Sequence, residues 1–210
     1  MQPRSPNFDL YLVTDRHQIR SRDLLWVLER ALDGGVKGIQ LREKDLKGRE
    51  LFDLAKKVRA LCDVQHASFL INDRIDVALA VGADGVHLGS ASIPVHAARE
   101  LIGNNKLIGV STHSMTEAEE AERGGADFIL FGPIYFTPSK SGYGQPQGIA
   151  PLKKVVEKIL IPVYAIGGIN AGNLVDVKET GVRGVSLISA ILSSADPCGA
   201  TQEILSVLEG

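Results

Sequence analysis

Eight short apolar runs, each rich in Val, Ile, Leu or Phe, alternate with helix-type stretches along the chain. The runs fall at residues 10–13, 38–41, 69–71, 85–88, 107–110, 128–131, 163–166 and 184–187. Such compact, mainly apolar segments suit strands buried on both faces of a parallel sheet. The stretches between them, such as 24–32, 50–61, 75–81, 115–123 and 152–159, have amphipathic helical patterning. Strict βα alternation calls for parallel strands joined by helical crossovers. Eight units within 210 residues favour a closed (β/α)8 barrel, the TIM barrel, over an open sheet.

An internal repeat supports the same architecture. Residues 34–41 (GGVKGIQL) resemble 81–88 (VGADGVHL), and the rhythm returns in 124–131 (GGADFILF) and 180–187 (TGVRGVSL). Each copy reads as a helix end, a glycine able to take positive φ, and a tight turn into the next strand. No linker rich in Pro, Ser or Gly divides residues 1–210, so a single TIM-barrel domain is expected. The net charge of −2 offers no global attraction to nucleic acid or anionic membrane, so any anion site must be a local cluster. Cys62 and Cys198 lack C-x-x-C spacing, consistent with a reducing compartment. There is no run of signal-peptide type near the N-terminus and none long enough to span a bilayer, so a cytoplasmic protein is expected.

Polar residues gather after the strands, whereas the helix-to-strand turns are mainly glycine and small residues. In this fold the loops at the carboxyl ends of the strands build the active site. Alternation along the second strand sets Gly38, Gln40 and Arg42 on one face and Ile39 and Leu41 on the other. If the chain stays extended, Lys44 joins the first set, and all three polar side chains point into the barrel mouth. Burying an amide and two cations is costly without partners. A carboxylate of the mouth could satisfy them; a polyanionic ligand is the favoured reading, with Lys140 adding a further positive charge. After the seventh strand Gly167 and Gly168 leave backbone N–H groups open to close approach, and after the eighth Ile188 and Ser189 open a helix. Those two loops are the frequent phosphate site of this fold.

Asn72 and Asp73 could cap the helix beginning near Ile75, or Asp73 could hold a Mg²⁺ that bridges phosphate oxygens. Ser114 and Glu117 match a capping box. Ser111 and His113 could face one side, but no third member of a hydrolytic triad is evident. His17, His66 and His96 lack metal-ligand spacing and read as surface residues, while His87 faces inward as a satisfied barrel histidine.

Taken together, the strand-end motifs resemble the thiamine phosphate synthase and TenI superfamily over residues 10–192. They are 40–44 (QLREK), Asn72-Asp73, 85–88 (GVHL), 109–113 (GVSTH), 132–140 (GPIYFTPSK), 165–169 (AIGGI) and 185–190 (VSLISA). The resemblance implies a transferase that joins a hydroxymethylpyrimidine diphosphate to a thiazole phosphate and releases pyrophosphate. By that carry-over Gln40, Arg42, Lys44, Asn72 and Lys140 hold the pyrimidine diphosphate, Asp73 binds Mg²⁺ and Ser111 lies near the reacting pyrimidine. Thr137, Ser139, Gly168, Ile188 and Ser189 hold the thiazole phosphate. Synthases of this kind usually carry a second acidic Mg²⁺ ligand after the fourth strand; residues 87–92 here read HLGSAS, with Ser92 in its place. That departure opens an alternative, a TenI-like thiazole tautomerase with His113 as proton shuttle. A third reading is a non-catalytic regulatory barrel binding thiamine-pathway phosphates. The expected partners are small phosphorylated molecules, with no nucleic acid and no membrane; a homo-oligomer is possible.

Overall fold

The computed structural model describes residues 5–20, 22–137 and 145–210. Eight parallel strands close in sequence order: β1 Leu10–Val13, β2 Gly38–Leu41, β3 Ser68–Asn72, β4 Gly85–Leu88, β5 Leu107–Thr112, β6 Phe128–Phe131, β7 Val163–Ile166 and β8 Gly184–Leu187. The expected (β/α)8 TIM barrel is the observed fold. Two strands outrun their apolar cores. β3 extends to Asn72, paired with His87, and β5 to Thr112, paired with Phe131, so polar residues end both strands.

The outer layer comprises α1 Leu24–Asp33, α2 Gly48–Val64, α3 Ile75–Ala80, α4 Val95–Ile102, α5 Met115–Arg123, α6 Ile149–Lys158, α7 Leu174–Lys178, α8 Ser189–Leu192 and α9 Pro197–Glu209. Alternate strand residues such as Leu12, Ile39, Leu41, Ile71 and Val86 join helix residues such as Leu28, Val58 and Ala98 in the larger core cluster. The barrel interior is a second, smaller cluster built on Phe8, Tyr11, Leu70, Phe128, Leu130 and Tyr164. The Phe8 ring stacks on Tyr11 at 5.0 Å, and the Tyr164 hydroxyl donates to the Phe8 carbonyl at 2.6 Å. These rings fill the interior so tightly that a Cβ on Gly38 would lie 2.6 Å from Phe8, and one on Gly109 2.4 Å from Phe128.

The repeat has a structural basis. Its second residue is Gly35, Gly82, Gly125 and Gly181 in the four copies, and each takes positive φ, between 65° and 110°. In two copies the fourth residue is an aspartate that ties neighbouring units together. Asp84 accepts from Phe69 N–H and Arg59, and Asp127 accepts from Ile108 N–H and Arg99. Among the described residues, no helix is long and apolar enough to cross a membrane.

Candidate active site

The carboxyl ends of the strands bring to one face those of the predicted polar residues that are described. Gln40 points into the barrel and is 1% exposed, and its Nε2 has no hydrogen-bond partner among the described residues. Arg42 is half-buried just beyond β2, its N–H donating to the buried Thr14 hydroxyl at 2.9 Å. Lys44 departs from expectation. β2 ends at Leu41 and the chain turns at residues 44–45, so strand alternation no longer applies and Lys44 is exposed. Glu43 is the residue that turns inward, 5% exposed, accepting from Arg16 N–H and from its guanidinium at 3.0 Å. Lys44 still lines a recess of about 260 Å³ with Glu43, Asn72, Asp73 and Arg74. Among the described residues, neither Arg42 nor Lys44 is paired with a carboxylate, so the ion-pair alternative is not realised there.

Asn72 and Asp73 do not cap α3. Its N-cap is Arg74, and no side chain makes the cap bond. Asp73 instead takes φ 59°, a left-handed conformation that an aspartate tolerates better than most residues. The conformation is held by Asp73 N–H on the His87 carbonyl at 3.0 Å and by two side-chain bonds to the carboxylate. Asn72 Nδ2 donates to Asp73 Oδ2 at 2.8 Å, and the Ser92 hydroxyl donates to Asp73 Oδ1. Ser92 Oγ also accepts from Gly89 N–H at 2.6 Å, which fixes it beside Asp73.

On β4 and β5, the partner of Ser111 is His87, not His113: His87 Nε2 lies 3.0 Å from Ser111 Oγ. His87 Nδ1 is buried with no partner among the described residues, so this Ser–His pair lacks the orienting acid of a hydrolytic triad. Burial and, secondarily, the Arg42 charge pull its pKa down to about 3, so the imidazole is neutral in the folded protein. Below its ordinary pKa of about 6.5, the unfolded chain takes up a proton that the folded one refuses, and stability is lost as pH falls from there towards 3. Between about pH 7 and pH 5 the wild type should lose roughly 2 kcal/mol more unfolding free energy than His87→Gln. Parallel urea-unfolding profiles for the two proteins would remove this account of His87.

His113 Nδ1 bonds the Gly132 carbonyl, tying the end of β5 to the end of β6. Ser114 is the N-cap of α5, accepting from Glu117 N–H at 3.1 Å. Glu117 reaches back one residue further than a capping box requires, accepting from His113 N–H at 2.8 Å. His17, His66 and His96 are exposed, as expected.

At the opposite side of the mouth, Gly167, Gly168, Ile188 and Ser189 line a recess of about 50 Å³ together with Thr137, Gln18 and Ser186. Gly167 and Gly168 have φ 99° and 68°, and a Cβ on Gly168 would lie 2.7 Å from the Phe136 carbonyl. Ser139 and Lys140 lie outside the described residues. Sequence reasoning missed Gln18, on the loop after β1, and the interior hydroxyls of Tyr11 and Ser186, both buried without partners among the described residues. The signal for Tyr11 was available: it shares strand parity with Val13, opposite Leu10 and Leu12.

Fold and site together define a class: a (β/α)8 barrel with two recesses, lined by polar side chains and by open glycine backbone, at the carboxyl ends of its strands. The family profile described as "Thiamine monophosphate synthase" matches residues 10–191. A relative from Geobacter sulfurreducens is 52% identical over 202 residues, 96% of this chain and 95% of its own. The thiamine-phosphate synthase of Clostridium novyi is 44% identical over 96% of this chain and 98% of its own. The solved thiamine phosphate pyrophosphorylase from Pyrococcus furiosus superposes with a TM-score of 0.89 at 40% identity, covering 96% of each chain. The chain belongs to the thiamine monophosphate synthase family, whose activity is that of a transferase. Membership of a family of enzymes sets aside the regulatory barrel.

Proposed function

We propose that the chain joins a hydroxymethylpyrimidine diphosphate to a thiazole phosphate, releasing pyrophosphate, in the cytoplasm. Gln40, Arg42, Lys44, Asn72 and Lys140 hold the diphosphate substrate, and Ser111 lies beside its pyrimidine. Thr137, Ser139, Gly168, Ile188 and Ser189 hold the thiazole phosphate. The observation that carries this reading is Arg42, a half-buried cation at the barrel mouth with no carboxylate partner among the described residues. As the C–O bond to the diphosphate breaks, negative charge grows on the leaving oxygens, and Arg42, Lys44 and Lys140 stabilise it. The electron-poor pyrimidine methylene is then taken by the thiazole nitrogen, forming the new C–N bond between two held partners.

The residues around Asp73 fit Mg²⁺ in its usual manner with phosphorylated substrates, one or two carboxylates completed by phosphate oxygens. Among the described residues, no cluster of three or more His, Cys, Asp or Glu could cage a metal by itself. Asp73 would hold the ion, and the ion would supply charge neutralisation at the diphosphate.

The decisive assay combines purified protein, both substrates and Mg²⁺, with thiamine phosphate as the product measured. Product should form, and His113→Ala should keep the rate within about threefold of wild type, because breaking the C–O bond and forming the C–N bond call for no proton shuttle. Absence of product together with His113-dependent thiazole isomerisation would replace the synthase by the tautomerase. The 44–52% identical relatives named as synthases favour the first outcome.

Gly168 is a poor probe of the phosphate recess, since its φ of 68° and the crowding from Tyr135 and Phe136 make any side chain disturb the β6–α6 loop. Ser189 is exposed at the first turn of α8 and is the better choice. Ser189→Asp should leave thermal unfolding unchanged and weaken thiazole phosphate binding roughly tenfold or more, since like charges about 4 Å apart cost on the order of 1–4 kcal/mol. Unaltered affinity by calorimetry would remove the recess from the account.

A further inference from the structure

The loop after β1 joins the two sides of the mouth. It begins at Thr14, whose hydroxyl accepts the Arg42 N–H at 2.9 Å. A single 3-10 turn follows at Arg16–Gln18. Arg16 carries the connection to the β2 side: its backbone N–H and guanidinium both reach Glu43, and the guanidinium also makes a two-pronged contact with Asp45. Glu43 and Asp45 are the residues on either side of Lys44. The hydrogen bond from Arg16 holds the Asp45 carboxyl down to about 2, so the pair stays ionised through the range in which the protein would work. Two residues further on, Gln18 lines the recess with Gly168 and Ser189, and its carbonyl accepts from Ser193 Oγ at 3.0 Å, just beyond α8.

We propose that Arg16 is a positioning residue that sets both halves of the site at once, fixing the turn that carries Lys44 and, through the same short turn, the Gln18 wall of the phosphate recess. It acts through its neighbours and touches neither substrate. Its guanidinium is spent on Glu43 and Asp45, in contrast to Arg42, which is uncommitted among the described residues. A guanidinium suits this role because its planar fork engages two carboxylates together, which a lysine ammonium cannot do with the same geometry.

The inference rests on the synthase reading, and the two can fail separately. Initial rates are measured against each substrate for wild type, Arg16→Gln, Arg16→Lys and Glu43→Gln, with thermal unfolding of each. Arg16→Gln should raise KM for both the pyrimidine diphosphate and the thiazole phosphate by about tenfold and lower kcat by no more than the roughly tenfold expected for losing Lys44, the rise in both KM values marking lost binding at both halves of the site. Arg16→Lys should recover part of both KM values, and Glu43→Gln should reproduce the Arg16→Gln pattern in milder form. A merely structural role would lower the folded fraction, reducing apparent kcat and unfolding temperature with both KM values intact, and would overturn the proposal. A rise in only the diphosphate KM would overturn it too, because Arg16 would then serve the β2 turn alone. No product from wild type at any substrate concentration would mean that the synthase reading itself had failed.

Discussion

Replacing Arg42 with alanine is expected to slow thiamine phosphate formation on the order of 10²–10³-fold, the scale set by removing one preorganised charge from a developing oxyanion. Three observations put Arg42 in this range. It is half-buried, where a charge acts through a lower dielectric than in water. It pairs with no carboxylate among the described residues, so its charge is not already neutralised. Its field reaches the barrel interior, since it is the charge that adds to burial in depressing the His87 pKa. Lys140→Ala is expected to fall in the same range on the strength of the sequence motif, its position lying outside the described residues. Lys44→Ala should cost less, about tenfold, because its exposed ammonium works against solvent screening. The check is single-turnover rate at saturating substrates. Wild-type rates in Arg42→Ala would assign the guanidinium a purely structural task.

The barrel was legible because its strands are buried on both sides. Six of the eight strands match the apolar runs residue for residue, and the other two differ only where polar residues continue the pairing. The period-two rule then failed one step later. Extended past Leu41 it brings Lys44 inward, whereas Glu43 is buried by Arg16, a partner 27 residues earlier that no local pattern reveals. The same limit applies to Ser111, whose partner His87 comes from the neighbouring strand 24 residues away. The capping alternative for Asn72 and Asp73 rested on residue type alone. The left-handed Asp73 and its bonds to Asn72 and Ser92 arise from how β3 and β4 meet, and become visible only in three dimensions. Gln18 went unnoticed because the loop after the first strand carries no glycine or phosphate-type motif to mark it.

The bond between Ser92 and Asp73 sharpens the question of metal demand. Because Ser92 Oγ donates to Asp73 Oδ1 and is itself anchored on Gly89 N–H, position 92 directs its side chain at the one carboxylate expected to hold Mg²⁺. Ser92→Asp would set two carboxylates side by side. Without a cation they repel, and a hard divalent ion with oxygen ligands relieves that repulsion, so the variant should reach half-maximal rate at several-fold lower Mg²⁺. Asp73→Asn removes the only carboxylate bonded to Ser92 among the described residues and should cut the rate on the order of 10²-fold or more, with partial recovery at high Mg²⁺. Wild type, in which Asp73 is the one carboxylate of the recess not paired with a cation among the described residues, should show weak Mg²⁺ binding alone and tighter binding with the diphosphate, since the substrate then completes the ligand set. A Mg²⁺ titration of thiamine phosphate formation for the three proteins, with calorimetry of Mg²⁺ with and without pyrophosphate, tests each step. If chelator leaves wild-type turnover untouched and Ser92→Asp shifts nothing, Asp73 is not a metal ligand. Its left-handed backbone would then serve only to hold Asn72 and Ser92 at the rim.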